Sequence, residues 1–281
     1  MEYNRRDFLK LAGLAGGGLM MSSSVARAQE KKVAPSEELN IALVGMGAEG
    51  EVLLNSLIKI PGIRFRAVCD IWECRRRYAR GRILGATAKA GKKTDLKDHL
   101  YEDYKDLIAN EKDLDGVIIA TPDFWHAPQT VDFLKAGVNV YCEKMMSNTV
   151  EGARSMVRAA RETGKLLQIG HQRKSSPRYH YVRDVLLRKL NLCGQITGAN
   201  AQWNRAVTKD LTVPEGKAFA ISDETLQKYG FENKQKFRNW RWYKGLGGGP
   251  ISDLGAHQID IFAYMFGGLD TMVLASNFVF R

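Results

Sequence analysis

The sequence predicts an α/β architecture, a doubly wound parallel sheet followed by a second domain, and three observations carry that prediction. Short apolar runs alternate with helix-length amphipathic stretches from residue 39 to residue 170. The first run leads directly into a glycine loop, Gly45-Met46-Gly47-Ala48-Glu49-Gly50. After Gly170 the alternation stops and the texture changes to longer irregular stretches. A chain of 281 residues, 44% hydrophobic and 26% charged, is long enough for two domains and too apolar for wholesale disorder.

Residues 39–44 form a short apolar run suited to a buried parallel strand. Helical spacing follows over 51–60, with Val52, Leu53, Leu57 and Ile58 on the periodic positions. A second strand runs through Phe65, Ala67, Val68 and Cys69 to Asp70. Helical sequence over 72–84 gives way to a Lys- and Gly-rich loop up to about 98, then to a short helix over 101–110. Val117-Ile118-Ile119-Ala120 is the third strand, and a helix over 124–136, a strand over 138–142, a helix over 148–163 and a strand over 166–169 complete the series. Such alternation requires right-handed crossovers. Beyond Gly170 the sequence predicts a helix over 178–190, a strand-like segment over 195–205 that includes Ile196, Ala199 and Trp203, and a long mixed loop over 206–235. A last helix is expected over 253–266 and a strand over 271–280.

Composition excludes several classes. No stretch reaches the roughly 18 consecutive apolar residues of a membrane-spanning helix, and four cysteines are too few for a disulfide-built scaffold. Cys69 and Cys142 fall in apparent buried strands and read as core residues, with an oxidised pair the alternative in an oxidising compartment; no cysteine pair has metal-ligand spacing, and no metal is expected. The formal charge is +11. Residues 1–28 hold Arg5, Arg6, Lys10 and Arg27 against Glu2 and Asp7, four minus two, which leaves +9 for the rest. The densest cluster, Arg75, Arg76 and Arg77, lies in helical sequence, where successive side chains diverge and form no flat basic face. No nucleic-acid-binding module is present, and nucleic acid is not an expected partner.

The N-terminal 28 residues read as an address. Asn4-Arg5-Arg6-Asp7-Phe8-Leu9-Lys10 precedes a short, glycine-diluted apolar stretch, and Ala26-Arg27-Ala28 supplies the small residues of a peptidase site. The paired arginines resemble a twin-arginine signal, which implies export of a folded protein to the periplasm; a Sec signal or a retained tail is the alternative. Residues 29–38 read as a linker, 39–170 as the first domain and 171–281 as the second.

The glycine loop stands in the context that gives it meaning. It joins a strand to a helix, and Asp70 ends the next strand twenty residues after Gly50. Gly45 suits a tight turn, Gly47 the close approach of a pyrophosphate and Gly50 close helix packing, with the helix N-terminus facing the phosphates. Asp70 would accept the adenosine ribose hydroxyls, which favours NAD, while Arg75–Arg77 keep NADP as the alternative.

Three further segments carry a resemblance: Thr121-Pro122-Asp123-Phe124-Trp125-His126-Ala127, Cys142-Glu143-Lys144, and the run from Gly248 to Asp260 that contains Asp253-Leu254-Gly255-Ala256-His257. With the glycine loop they make the chain similar to the glucose–fructose oxidoreductase/inositol dehydrogenase (Gfo/Idh/MocA) family from about Leu39 onward. The resemblance implies a Rossmann dinucleotide-binding domain, then an α+β domain with an open, mainly antiparallel sheet that often mediates homo-oligomers. It implies NAD(P)-linked oxidation or reduction of a sugar or polyol. It assigns Lys144 to the reacting oxygen, His257 to the general base, and Asp253 to a substrate hydroxyl and to tuning His257. Asp253, His257 and Asp260 are spaced i, i+4, i+7, one face of a helix. The glycine loop (Gly45, Met46, Gly47, Ala48, Glu49, Gly50), Asp70, Thr121, His126 and Glu143 would hold the cofactor. Gln172, Arg173 and Asp260 would line the substrate cleft. Trp240 and Trp242 suit either a sugar-stacking wall or core packing.

Two departures stand out. The family usually has Pro after its Glu-Lys pair, whereas this chain has Met145. Arg281 ends what reads as an early strand of the second sheet, as in a fragment of a longer product or a chain completed by another. Two alternatives accompany dehydrogenation: a glycosidase that uses NAD transiently, and a cofactor- or sugar-binding protein without turnover.

Overall fold

The structure is a computed structural model, and it describes residues 38–91, 94, 96–204 and 209–267. The expected leader, most of the linker and the strand expected over 271–280 lie outside the described residues. Six parallel strands form one sheet: β1 (Leu39–Val44), β2 (Ile63–Cys69), β3 (Leu100–Tyr101), β4 (Gly116–Ile119), β5 (Asn139–Glu143) and β6 (Leu167–Gly170). Their spatial order is β3-β2-β1-β4-β5-β6. The winding reverses between β1 and β4, and ligands of such sheets bind outside the carboxyl ends at that switch point. The two-residue β3 is an addition to the sequence expectation: Leu100 and Tyr101 pair with Val68 and Cys69, a run too short to show alternation.

Helices α1 (Ala48–Leu57), α2 (Glu73–Lys89), α3 (Tyr104–Asn110), α4 (Asp123–Lys135) and α5 (Val150–Thr163) cover the two faces. Their ends follow local chemistry. The Thr149 hydroxyl accepts the Gly152 N–H at 3.0 Å to start α5, and Gly164, at φ +65°, ends it. Alternation within the strands divides the core between the faces. Leu43, Leu54, Phe65, Val68 and Ile83 pack on one side; Val44, Val117, Ile119, Phe133, Leu134 and Met156 pack on the other. Cys69 and Cys142 are buried free thiols, and burial pushes both thiol pKa values up.

Beyond β6 the described residues contain helices and loops. α6 (Pro177–Tyr181) continues into a π-helical stretch, Val182–Lys189. α7 (Asp223–Lys228) and α8 (Lys234–Arg238) interrupt the region expected to be a long loop. The segment expected as a strand over 195–205 has no regular structure over 195–204. A strand exists only with a partner for its N–H and C=O groups, and among the described residues none lies beside it. The last helix, α9 (Ala256–Phe266), is entered through a π-helical turn, Ile251–Gly255. A third apolar cluster ties this region to the sheet domain: Trp72, Leu226, Tyr229 and Phe231 are buried together, with Phe124, Trp125 and Phe237 against them. Trp72 Nε1 donates to the Phe219 carbonyl at 3.0 Å and Trp125 Nε1 to the Tyr229 carbonyl at 3.1 Å.

Phe133 is fully buried between α4 and the sheet. Its replacement by Ala should lower unfolding free energy by about 3–5 kcal/mol, read from the urea midpoint at unchanged slope. A loss below about 1 kcal/mol would contradict this packing.

Candidate active site at the carboxyl edge of the sheet

The glycine loop occupies the switch point. Gly45 has φ +88°, and a Cβ there would lie 2.7 Å from the Ala120 carbonyl carbon and oxygen, so β1 and β4 can close together only around glycine. A Cβ on Gly50 would sit 2.1 Å from the Gly45 oxygen, which α1 could not tolerate at this approach. Gly47 is different: a Cβ would meet nothing within 4 Å, and Gly47 and Ala48 are exposed. This is open space beside the first turn of α1, the cradle that a pyrophosphate needs. Met46 is buried in the core and contributes its main chain, donating N–H to Asp70 Oδ2 at 2.6 Å. Glu49 is half-buried on α1, and its charge helps to raise Glu143.

Asp70 Oδ1 accepts the Trp72 N–H at 2.8 Å. Each carboxylate oxygen keeps a second lone pair, so the group can still accept from ribose hydroxyls. Burial pushes the Asp70 carboxyl up, against the pull of the Met46 and Trp72 N–H groups and of Arg76. The three arginines have partners of their own. Arg75 lies 3.5 Å from Glu51, Arg76 donates to the Asp70 carbonyl, and Arg77 lies 2.6 Å from Glu73.

The turn after β4 is tied to the end of β5. His126 is buried, with Nδ1 2.6 Å from the Met145 carbonyl and Nε2 2.7 Å from the Thr121 carbonyl. Burial pushes its pKa down, opposed by these carbonyls and by Asp123. Main-chain carbonyls face both nitrogens; a neutral ring donates to one of them and packs against the other, so His126 spans the two loops. The Thr121 hydroxyl donates to Gln129 Oε1 at 2.7 Å. Glu143 accepts from the Tyr141 hydroxyl at 3.0 Å and the Lys144 N–H at 3.1 Å, and burial raises its pKa.

Lys144 meets the entrance of α9. Its Nζ donates to the Asp253 carbonyl at 2.7 Å and lies 3.6 Å from Asp253 Oδ1, both side chains being largely shielded. Arg241 Nε donates to the same Oδ1 at 3.1 Å. Met145 contacts the Ser252 hydroxyl, which also donates to Asp123 Oδ2 at 3.1 Å. The departure at Met145 therefore leaves Lys144 facing Asp253. His257 is buried one turn further on, its ring centre 5.1 Å from that of Trp203. Burial, then Lys144, Arg173 and His171, lower its pKa to about 4 against the opposing charge of Asp253. Asp260 pairs with Lys174 at 2.7 Å and lies 3.6 Å from His171 Nδ1.

Lys144, Asp253, His257, Asp260 and Arg173 are thus gathered at the carboxyl ends of β5 and β6. Gln172 is exposed, Trp240 packs against the third apolar cluster, and Trp242 is half exposed; none of the three lines the pocket beside His257. The aromatic residues that do are Tyr179 and Trp203, the latter in a context that signalled only a strand. His171 and Lys174 also escape sequence reasoning, because their partner Asp260 is distant in the chain.

A doubly wound parallel sheet with a glycine cradle at its switch point defines the class, a dinucleotide-binding Rossmann protein. Comparison with known proteins takes this further. Residues 39–171 match the family described as "Oxidoreductase family, NAD-binding Rossmann fold", and residues 224–278 match "Oxidoreductase family, C-terminal alpha/beta domain". The chain belongs to this Gfo/Idh/MocA oxidoreductase family, and NAD is the cofactor of its N-terminal domain. It is 32% identical over 163 residues to a glycosyl hydrolase family 109 protein of Stenotrophomonas maltophilia, covering 57% of this chain and 34% of that one. It is also 32% identical over 153 residues to an inositol 2-dehydrogenase of Rubrobacter xylanophilus, covering 54% and 40%. The chain therefore spans about a third to two fifths of the length of these curated relatives. The scyllo-inositol dehydrogenase of Lactobacillus casei, solved with NAD(H) and scyllo-inositol, shares the fold at TM-score 0.54 and 19% identity, covering 82% of this chain and 56% of that one.

Open space at Gly47 has a testable consequence. Gly47→Val should leave the urea midpoint nearly unchanged, since nothing opposes the side chain, yet weaken NADH binding by about tenfold or more in a fluorescence titration. Unchanged affinity would show that the dinucleotide does not cross this loop.

Proposed function

We propose that this protein is an NAD-dependent oxidoreductase that moves a hydride between a hydroxyl-bearing carbon of a sugar or polyol and the nicotinamide. The observation that carries the reading is the convergence of Lys144, Asp253 and His257 at the carboxyl edge of the sheet that bears the glycine cradle. When bound, NAD supplies the hydride acceptor. The protein must then bind the hydroxyl, take its proton and stabilise the developing negative charge on oxygen. An ammonium has three N–H groups, and Lys144 directs one to the Asp253 carbonyl, so it can donate to the reacting oxygen as well. His257 is neutral at pH 7 and is our general base. Asp253, held by Lys144 and Arg241, accepts a substrate hydroxyl and orients both partners. His126 acts as a positioning residue through the Thr121 and Met145 carbonyls.

A second reading is favoured by the likeness to glycosyl hydrolase family 109 proteins. In it the same residues would serve a transient oxidation that ends in glycoside cleavage. Net NADH formation on sugar addition supports dehydrogenation; cleavage without net NADH supports the glycosidase. We further propose export by the twin-arginine route from Arg5 and Arg6. Replacing both by Lys should leave precursor in the cytoplasm, and unchanged export would contradict the route.

His257→Ala should lower kcat by about 10²–10⁴-fold. Lys144→Ala should do comparable damage with NADH affinity within roughly tenfold of wild type, and the double variant should be little worse than either single one. Both single variants turning over within about threefold of wild type would overturn the assignment. The pH profile has a definite sign. The His257 pKa is depressed, so its protonation removes activity only on the acid side: kcat/KM should be flat through neutrality and fall with an apparent pKa near 4. The same shift makes the unfolded chain bind the proton first, so His257 lowers stability as pH falls from about 6.5 to about 4. An acid limb centred near 6.5 in the free enzyme would contradict this environment.

A further inference from the structure

The pocket beside His257 encloses about 110 Å³ and is lined by Arg173, Tyr179, Gln202, Trp203, His257 and Gln258 among others. Among the described residues of that lining Arg173 is the one permanently charged side chain. The groups it contacts among the described residues are neutral. Nη1 donates to the Tyr179 hydroxyl at 2.6 Å, and the guanidinium carbon lies 4.7 Å from the centre of the Trp203 ring and 5.8 Å from that of Tyr179. A guanidinium carries five N–H donors in a planar fork, and one phenol oxygen does not satisfy them.

The carboxylates nearby are engaged by other cations. Asp253 lies against Lys144 and Arg241, and Asp260 against Lys174. Among the described residues Arg173 has no carboxylate within ion-pair distance, although its charge is felt at His257. A pocket that presents an aromatic-backed guanidinium next to a general base selects for a negative group on the molecule it receives.

We propose that the substrate is an anionic sugar or polyol, whose carboxylate or phosphate is bound by Arg173 between Trp203 and Tyr179 while a ring hydroxyl faces Lys144 and His257. This deepens the oxidoreductase reading and rests on it. It also supplies negative charge that the residues around His257 do not. His257 faces Lys144 from the end of β5, Arg173 and His171 from the segment after β6, and Asp253 from the π-helical turn, with Trp203 as the neutral neighbour. The cations outnumber the acid, and a base held near 4 is poorly matched to neutral pH. An anion at Arg173 offsets that excess and raises His257 toward the working range when substrate is bound.

The test is calorimetric, on the full chain saturated with NADH, with matched sets such as glucose, glucuronate and glucose 6-phosphate, then galactose and galacturonate. At least one anion should bind roughly 10–100-fold more tightly than its neutral counterpart, and the carboxylate and phosphate arms show which group the pocket takes. Arg173→Gln should bring the ratio to within about threefold, and Arg173→Lys should restore part of it. Retained NADH binding shows that each variant is folded. Equal affinities for neutral and anionic sugars, no binding of either, or a preference that survives Arg173→Gln overturns the proposal. Arg173-dependent anion binding without net NADH formation from NAD supports the anion site and contradicts dehydrogenation alone, so the two failures are distinguishable.

Discussion

The contact from Lys144 to the entrance of α9 is the constraint on which the site depends. A lysine at the end of a parallel strand meets the main-chain carbonyl and the carboxylate of Asp253, more than a hundred residues later in the chain. Largely shielded ion pairs add little net stability, because desolvation offsets attraction. Their value here is positional. Ser252, the neighbour of Asp253, reaches back to Asp123 and Met145, and His126 holds the Met145 carbonyl against the turn after β4. Three loops at the carboxyl edge are thereby fixed relative to one another and to the helix that carries His257.

That junction also sets the electrostatics. Lys144 and Arg241 both act on Asp253, and Lys174 acts on Asp260. Little negative charge is left to support His257, which is buried under Trp203 and surrounded mainly by cations. The same positive excess that suits an alkoxide-like transition state weakens the free base. A substrate that brings its own negative charge reconciles the two demands.

Much of this was legible in the sequence, for identifiable reasons. The runs at 39–44 and 117–120 and the spacing from Gly45 to Asp70 report a buried parallel sheet and its ligand loop, because Gly45 and Gly50 are each required by a close backbone approach that a larger side chain would spoil, while Gly47 borders open space. The two-residue β3 carries no period. The spacing of Asp253, His257 and Asp260 reads as a plain α-helix, and nothing local reveals that Asp253 sits in a π-helical turn, where the wider winding changes its position relative to His257. Trp203 was visible as a large aromatic but not as a neighbour of His257, since a meeting across more than fifty residues has no local signature. Trp240 and Trp242 look like a stacking wall by composition, yet one packs inward and the other lies open.

The central claim is that these two halves meet in order to move a hydride from a substrate carbon to NAD. It is tested most directly by following the hydrogen. A sugar that the protein turns over, deuterated at the carbon that bears the reacting hydroxyl, should give reduced nicotinamide carrying one deuterium per oxidised sugar, read by mass spectrometry of the released cofactor. Label that appears in water, or that returns to a cleaved glycoside product with no labelled NADH released, would contradict the account.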